Sequence, residues 1–478
     1  MSLPRHTSWT RLHRSGTFAR MAAGTDQTPT APREGGLHRQ LSAGQMAMIS
    51  VGGSIGTGLL LGSGAAVQIA GPAVILTYVL GAAIAFVVTM ALGELASVHP
   101  VSGSFGVYAG KYLNPWAGFV SRYGYWLAIL ASVGAELVAS ATYTRLWFPQ
   151  VPPLVWVIVY AALLLFINFR SVGNYGRSEY WFAMIKVVAI AAFIVIGAAL
   201  LLGGRVAPQY SATAGLFPKG AGAPLLALSF ALFSFLGTEM LAISAGEARS
   251  AKEIPRATRF SFAVLAFAYV GAIAVLVGVL PWNRAGIGQS PFVTIFEIAG
   301  IRAASWLVNF VVLTAALSGA NATLYASGRM LFSLAESGFA PAALTKVNAK
   351  GSPTRALIAS TGGVAIAIIM EYWAPESAYL YIIGSSLFGG MMAWCFALAA
   401  HIAFRRQISN ERLRSLPMRA PGGASASAAA LVAIVAAVVS TWWVPQSRIT
   451  IQSGPPYLLL LSVAYFLSRR KRAGAPQI

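Results

Sequence analysis

The chain has 478 residues, 57% of them hydrophobic and only 10% charged, with a mean hydropathy of +0.69. So low a charged fraction excludes an ordinary soluble domain, in which about a quarter of residues carry charge. The net charge of +21 does not indicate nucleic-acid binding: with a cytoplasmic N-terminus, 27 of the 34 Lys and Arg fall on that side, 6 fall opposite, and Lys186 lies inside a span. That bias is the signature of membrane topology, and it places both termini in the cytoplasm.

Residues 1–40 are rich in Arg, Thr, Pro and Gly and lack the long apolar core of a cleavable signal peptide. They read as a disordered basic cytoplasmic tail, within which Met21 is an alternative start. About twelve apolar stretches of spanning length follow. They are placed at 43–69, 72–97, 117–143, 153–169, 180–203, 223–246, 257–280, 303–334, 355–371, 377–404, 426–444 and 455–468.

The first stretch is interrupted by Gly52-Gly53-Ser54-Ile55-Gly56-Thr57-Gly58. Each glycine costs a helix about 1 kcal/mol relative to alanine. An unwound backbone is tolerated in a membrane only where protein or a polar cavity satisfies its amides and carbonyls. The run therefore reads either as a binding site or as close helix packing through small residues. The sixth stretch carries a second interruption, Phe233-Ser234-Phe235-Leu236-Gly237-Thr238-Glu239, with a carboxylate at mid-membrane depth. Interrupted segments opening each half of a chain point to an inverted-repeat transporter with a midplane site.

Between spans two and three, His99 to Tyr112 reads as a short interfacial helix, with Tyr112 and Trp116 at headgroup level. Polar connectors also follow the second break (Gly246 to Arg256) and the eighth span (Glu336 to Pro353). They read as plain interfacial loops or as parts of an inward gate. The lone Cys395 allows no intrachain disulfide and reads as packing.

Several runs together resemble bacterial amino acid permeases, the amino acid transporter branch of the amino acid–polyamine–organocation superfamily. They are Gly52–Gly64, Ala91-Leu92-Gly93-Glu94-Leu95 with Pro100–Phe105, Ala135-Glu136-Leu137 through Pro149, Glu179–Val187, Gly237-Thr238-Glu239 through Glu247, Asn309–Ser318 and Ser327–Leu331. The resemblance spans roughly residues 38 to 405 and fades over the last two spans. It implies an all-α polytopic membrane protein of about twelve transmembrane helices. Residues 41–404 would hold a five-plus-five inverted repeat with helices 1 and 6 broken. A cytoplasmic loop (405–425), two extra helices (426–472) and a cytoplasmic tail (473–478) would complete it. It also implies inward movement of amino acids across the bacterial cytoplasmic membrane, commonly with a proton and without cofactor or metal.

An α-amino acid presents a carboxylate and an ammonium, and a broken helix offers amide N–H groups to one and carbonyls to the other. Gly56, Thr57 and Gly58 are placed to take the carboxylate, and the Ser54 carbonyl to accept from the ammonium. By resemblance, Phe233 and Leu236, next to Gly237, supply matching carbonyls, with Phe233 also an aromatic gate or plain core. Lys186 lies too deep in its span for easy snorkelling, and desolvation works against the charged form of a buried amine. In the superfamily a lysine of the fifth span stands where sodium-driven relatives hold sodium, which implies Lys186 as proton carrier. A permanent ion pair is the plainer alternative. Glu136 faces the pocket or a cation, and Glu239 shares protons with Lys186 through water. Glu94 and Glu247 pair with loop arginines such as Arg249, and Asn321 and Ser385 are lesser pocket groups.

The expected function is proton-coupled import of amino acids, weakly favouring neutral ones. An exchanger of the same fold is the first alternative. A membrane-embedded enzyme is remote, because the five histidines lie in the tail, loops or span ends. A channel lacks a repeated filter motif.

Overall fold

The computed structural model describes residues 41–101, 104–170, 175–210, 215–250, 252–348 and 353–473. The expected tail 1–40 and all but residue 473 of the expected tail 473–478 lie outside them, as do Ser102, Gly103, residue 251 and residues 349–352 of the connectors. Among the described residues all regular structure is helical, apart from one isolated bridge between Leu41 and Ala248.

The first pass comprises α1 (Ala43–Ser54) and α2 (Ser63–Ala70), and a turn at Gly71–Ala73 leads into the second, α3 (Val74–Val98). A short α4 (Ser104–Tyr112) precedes the third pass, α5 (Pro115–Thr144); α6 (Pro153–Arg170) and α7 (Tyr175–Leu202) complete the first five. The sixth is again divided, into α8 (Ala223–Leu226), α9 (Leu228–Phe235) and α10 (Met240–Ser244). Then come α11 (Glu253–Val279), a short α12 (Pro291–Ile298), α13 (Arg302–Glu336), the pair α14 (Thr354–Ala359) and α15 (Gly362–Trp373), and α16 (Ala378–Gln407). A five-residue α17 (Asn410–Arg414) leads to α18 (Gly423–Ser440) and α19 (Arg448–Ala473). Eight of these stretches are long and apolar enough to cross a membrane, Ala43–Val98 holding two passes, and the remaining passes are shorter apolar helices or α19. The chain is thus a polytopic membrane protein whose first and sixth passes are both broken.

Local sequence explains where the helices begin. Ser42 and Gln45 close a reciprocal capping box on α1, and Glu253 accepts from the Ala43 amide at 2.7 Å. Asn114 caps α5 with Pro115 in its first turn. The expected short helix before α5 is α4, but it is not merely interfacial: Phe105 and Tyr108 are fully buried, and it packs on α5 and α16. The last pass runs further than expected, starting at Arg448 with Pro455 and Pro456 inside it. At the centre, α5 packs against α13 and α16, while α1 packs against α7 and α11. The outward faces are apolar, with Trp181, Phe267, Leu307 and Leu459 all exposed.

Two polar clusters pin the helix ends. Just past α3, His99 accepts from Tyr112 at 2.7 Å and from Lys111 at 3.1 Å. Burial first, then the charges of Lys111 and Arg412, push the imidazole down to about 4, so it stays neutral near physiological pH. In the second cluster Glu94 pairs with an arginine, as expected, though with a different one. Its partners are not Arg249 but Arg405, at 2.5 Å, and the Ala420 amide, with His401 at 3.4 Å from the other oxygen. His401 in turn meets Ser427 of α18 at 2.8 Å, which ties α3, α16 and α18 together. The side chain of Glu247 is outside the described residues. Because Glu94 is fully buried, Arg405→Leu is expected to destabilise the fold by about 3–5 kcal/mol, the cost of stranding a buried charge. Thermal unfolding in detergent checks this; an unchanged midpoint would mean the pair is dispensable.

Candidate functional site

α1 does not stop at the first glycines. It continues through Gly52 and Gly53 to Ser54, and the unwound residues are Ile55 and Gly56, with Thr57 already helical again. Past them the chain winds as a single π-helical stretch, Gly58–Gly62, a form found mostly at functional sites. The freed groups are satisfied from distant helices. Tyr269 of α11 donates to the Ser54 carbonyl at 2.6 Å, and Tyr379 of α16 donates to the Thr57 carbonyl at 2.9 Å. The Thr57 amide donates to Glu136 Oε1 of α5 at 3.2 Å.

In the second break α9 ends at Phe235, Leu236 is extended, and Gly237 has φ +108°. Only glycine suits that position, since a Cβ would also stand 2.6 Å from the Gly53 carbonyl group. Glu239 closes this break: its carboxylate accepts from Tyr125 at 2.7 Å, the Gly237 amide at 3.0 Å and Trp394 at 3.1 Å. The two breaks also touch, because Ser50 donates to the Thr238 carbonyl at 3.2 Å. A Cβ at Gly58 would stand 2.9 Å from the Ser234 Cα.

One small cavity of about 40 Å³ lies between the breaks. Ser54, Gly56, Gly58, Glu136, Phe233, Leu236, Gly237 and Glu239 all border it. It has room for two or three water molecules, so anything larger enters only if the breaks part. Thr57 is beside it; its buried hydroxyl lies near the Glu136 carboxylate and makes no hydrogen bond of normal geometry among the described residues. Leu236 packs on Gly390 of α16. The Phe233 carbonyl accepts from the Leu236 amide at 3.1 Å, so in this state it caps its own helix. Of the lesser pocket groups, Ser385 turns its hydroxyl back to the Tyr381 carbonyl; its neighbour Ser386 borders the cavity, as does Thr323 of α13.

Lys186 is buried and does not border this cavity. Its Nζ donates to the Gly52 carbonyl at 2.7 Å, one turn before the first break. The carboxylates of Glu179 and Glu136 are the anions that act on it. Glu239 is not among them and is instead fully engaged with Tyr125, Trp394 and Gly237. Sequence reasoning missed Glu179 as part of this cluster. It is fully buried, receives Ser318 of α13 at 3.3 Å, and fills the space that the missing side chain of Gly52 leaves open. The signal was present: Glu179 and Lys186 are seven residues apart, two turns along one helix face.

A profile of the amino acid permease family matches residues 45–471. The chain is 36% identical to the gamma-aminobutyric acid permease of Bacillus subtilis (strain 168) over 393 residues, covering 81% of this chain and 84% of that protein. It is 38% identical to the aromatic amino acid transport protein AroP of Escherichia coli (strain K12) over 377 residues, 77% and 82% of the two chains. It is 34% identical to an uncharacterized amino acid permease, YtnA, of Bacillus subtilis (strain 168), over 90% of this chain and 95% of that one. Among solved structures, the fold matches that of a manganese transporter from Eremococcus coleocola. The TM-score is 0.54 and the identity 13%, over 89% of this chain and 93% of that one.

Proposed function

The chain belongs to the amino acid permease family, and we propose that it imports neutral amino acids across the bacterial cytoplasmic membrane by proton symport, alternating access around the cavity between the breaks. One observation carries this reading: the interrupted backbones of the first and sixth passes border one small cavity together. The carboxylate of the substrate takes the amides at Thr57 and Gly58 and the Thr57 hydroxyl. The ammonium takes carbonyls at the ends of α1 and α9, and Phe233 covers the ligand. Apart from Glu136 and Glu239 the lining is apolar or hydroxylic, with Ala128, Ile129, Met240 and Ser386 around the side-chain space. Glu239 is spent on Tyr125, Trp394 and the Gly237 amide, which supports a substrate without side-chain charge.

Proton coupling rests on Lys186 and Glu136, the buried cation and anion that flank the first break on opposite sides. Both termini and the 405–425 connection lie in the cytoplasm in this reading, lipid surrounds the apolar outer faces, and α18 and α19 supplement a ten-helix core. The test is uptake by proteoliposomes of a panel comprising the proteinogenic L-amino acids and γ-aminobutyrate, with and without an inward proton gradient. Accumulation of at least one neutral member above its external concentration, only with the gradient, is the expected result. Uptake of none of them would overturn the reading.

A further inference from the structure

The amide that this reading gives to the substrate carboxylate is already in use. Glu136 Oε1 accepts from Thr57 N–H at 3.2 Å, and the Glu136 carboxylate fills the space beside Gly56 on one side and Gly319 of α13 on the other. Among the described residues its second oxygen, Oε2, is buried without a hydrogen-bond partner. No cation contacts it directly among the described residues: Lys186 acts on it through space, while the Lys186 ammonium is bonded to the Gly52 carbonyl. The other titratable groups around Glu136 are Glu239, which borders the same cavity but is held by Tyr125, Trp394 and the Gly237 amide, and a set of phenols. Tyr269 and Tyr379 are committed to the carbonyls of Ser54 and Thr57, and Tyr143, on α5 itself, has a hydroxyl without a partner among the described residues.

We propose that Glu136 is an internal stand-in for the substrate carboxylate, holding the Thr57 amide while the site is empty and taking up one proton when an amino acid displaces it. This rests on the amino acid site described above and assigns its coupling step. One N–H cannot serve two carboxylates. A substrate carboxylate at Thr57 leaves Glu136 beside a like charge in a buried site, where two such groups do not both remain ionised. The proton comes from water on the side from which the amino acid enters and binds a carboxylate oxygen of Glu136. It leaves when the amino acid departs and Glu136 returns to the amide. No change of charge on Lys186 is required.

The experiment uses the full-length protein in nanodiscs, in weak buffer with a pH indicator. The probes are the panel amino acid that the wild type accumulates most and its C-terminal carboxamide, which keeps the ammonium but has no carboxylate. Wild type should take up about one proton per amino acid bound and none per carboxamide. Glu136→Gln, which keeps the shape and loses the charge, should bind the amino acid about tenfold more tightly, the worth of one charge-assisted hydrogen bond. It should do so without proton uptake, and with affinity independent of pH around neutrality. Amino acid binding to wild type without proton uptake, or equal uptake with the carboxamide, would overturn the proposal while leaving the transport reading intact. Those wild-type comparisons decide the matter even if Glu136→Gln fails to fold. Binding of no panel member to wild type would instead bring down the transport reading itself.

Discussion

Gly58→Leu is expected to abolish amino acid binding, lowering affinity at least a hundredfold, about 2.7 kcal/mol, in a protein that still inserts and purifies as the parent does. A Cβ at this position already stands 2.9 Å from the Ser234 Cα and 3.2 Å from its nitrogen. The obstacle is backbone, which cannot rotate away as a flexible side chain would. Overpacking of this kind costs about 1–3 kcal/mol, and here the strain falls on the contact between the two breaks. The three further carbons of leucine have only the cavity and the Phe233 ring to enter. Direct binding of the best panel amino acid, with helix content checked by circular dichroism, makes the measurement. Parental affinity in a folded Gly58→Leu protein would show that the breaks need not touch.

The second large effect is expected at Lys186. Lys186→Ala should lose accumulation driven by a proton gradient while retaining exchange across preloaded vesicles. The side chain spans from α7 to the Gly52 carbonyl at 2.7 Å, tying α7 to α1 just before α1 unwinds. It also supplies the positive charge that acts on both Glu136 and Glu179. Without it two buried carboxylates face each other's surroundings with no cation, and a buried carboxylate without a counter-charge neutralises itself. A site whose carboxyl is neutral throughout the cycle exchanges no proton, although the amides and carbonyls of the breaks remain. Recognition and coupling are therefore separable. A variant that accumulates substrate uphill as well as the parent would assign Lys186 to packing and show that Glu136 couples without its charge.

The location of both breaks was legible in the sequence because glycine clusters and a mid-span carboxylate are costly in a membrane unless something uses them. The finer placement was not. Four glycines between Gly52 and Gly58 look alike in sequence, yet α1 winds straight through Gly52 and Gly53. Those two make room for Glu179 and for Met240 of α10, and that packing outweighs their poor helix propensity. The unwinding falls instead where Tyr269 and Tyr379, from residues more than two hundred positions away, supply donors for the free carbonyls. Glu239 shows the same limit. Its position after a break was readable, but its three donors come from α5, α16 and its own turn, so its role as a clasp could only be seen once the helices were assembled. The π-helical turn at Gly58–Gly62 had no sequence signature either.

The most direct test of the account is a structure of the protein with its best panel amino acid bound. The account predicts the amino acid between the two breaks, its carboxylate within hydrogen-bond distance of the Thr57 amide, the Glu136 carboxylate withdrawn from that amide, and Phe233 over the ligand. An amino acid found elsewhere would contradict it. So would one seated in the larger apolar cavity of about 180 Å³ lined by Lys186, Phe193, Phe292 and Phe296, with Glu136 still on Thr57.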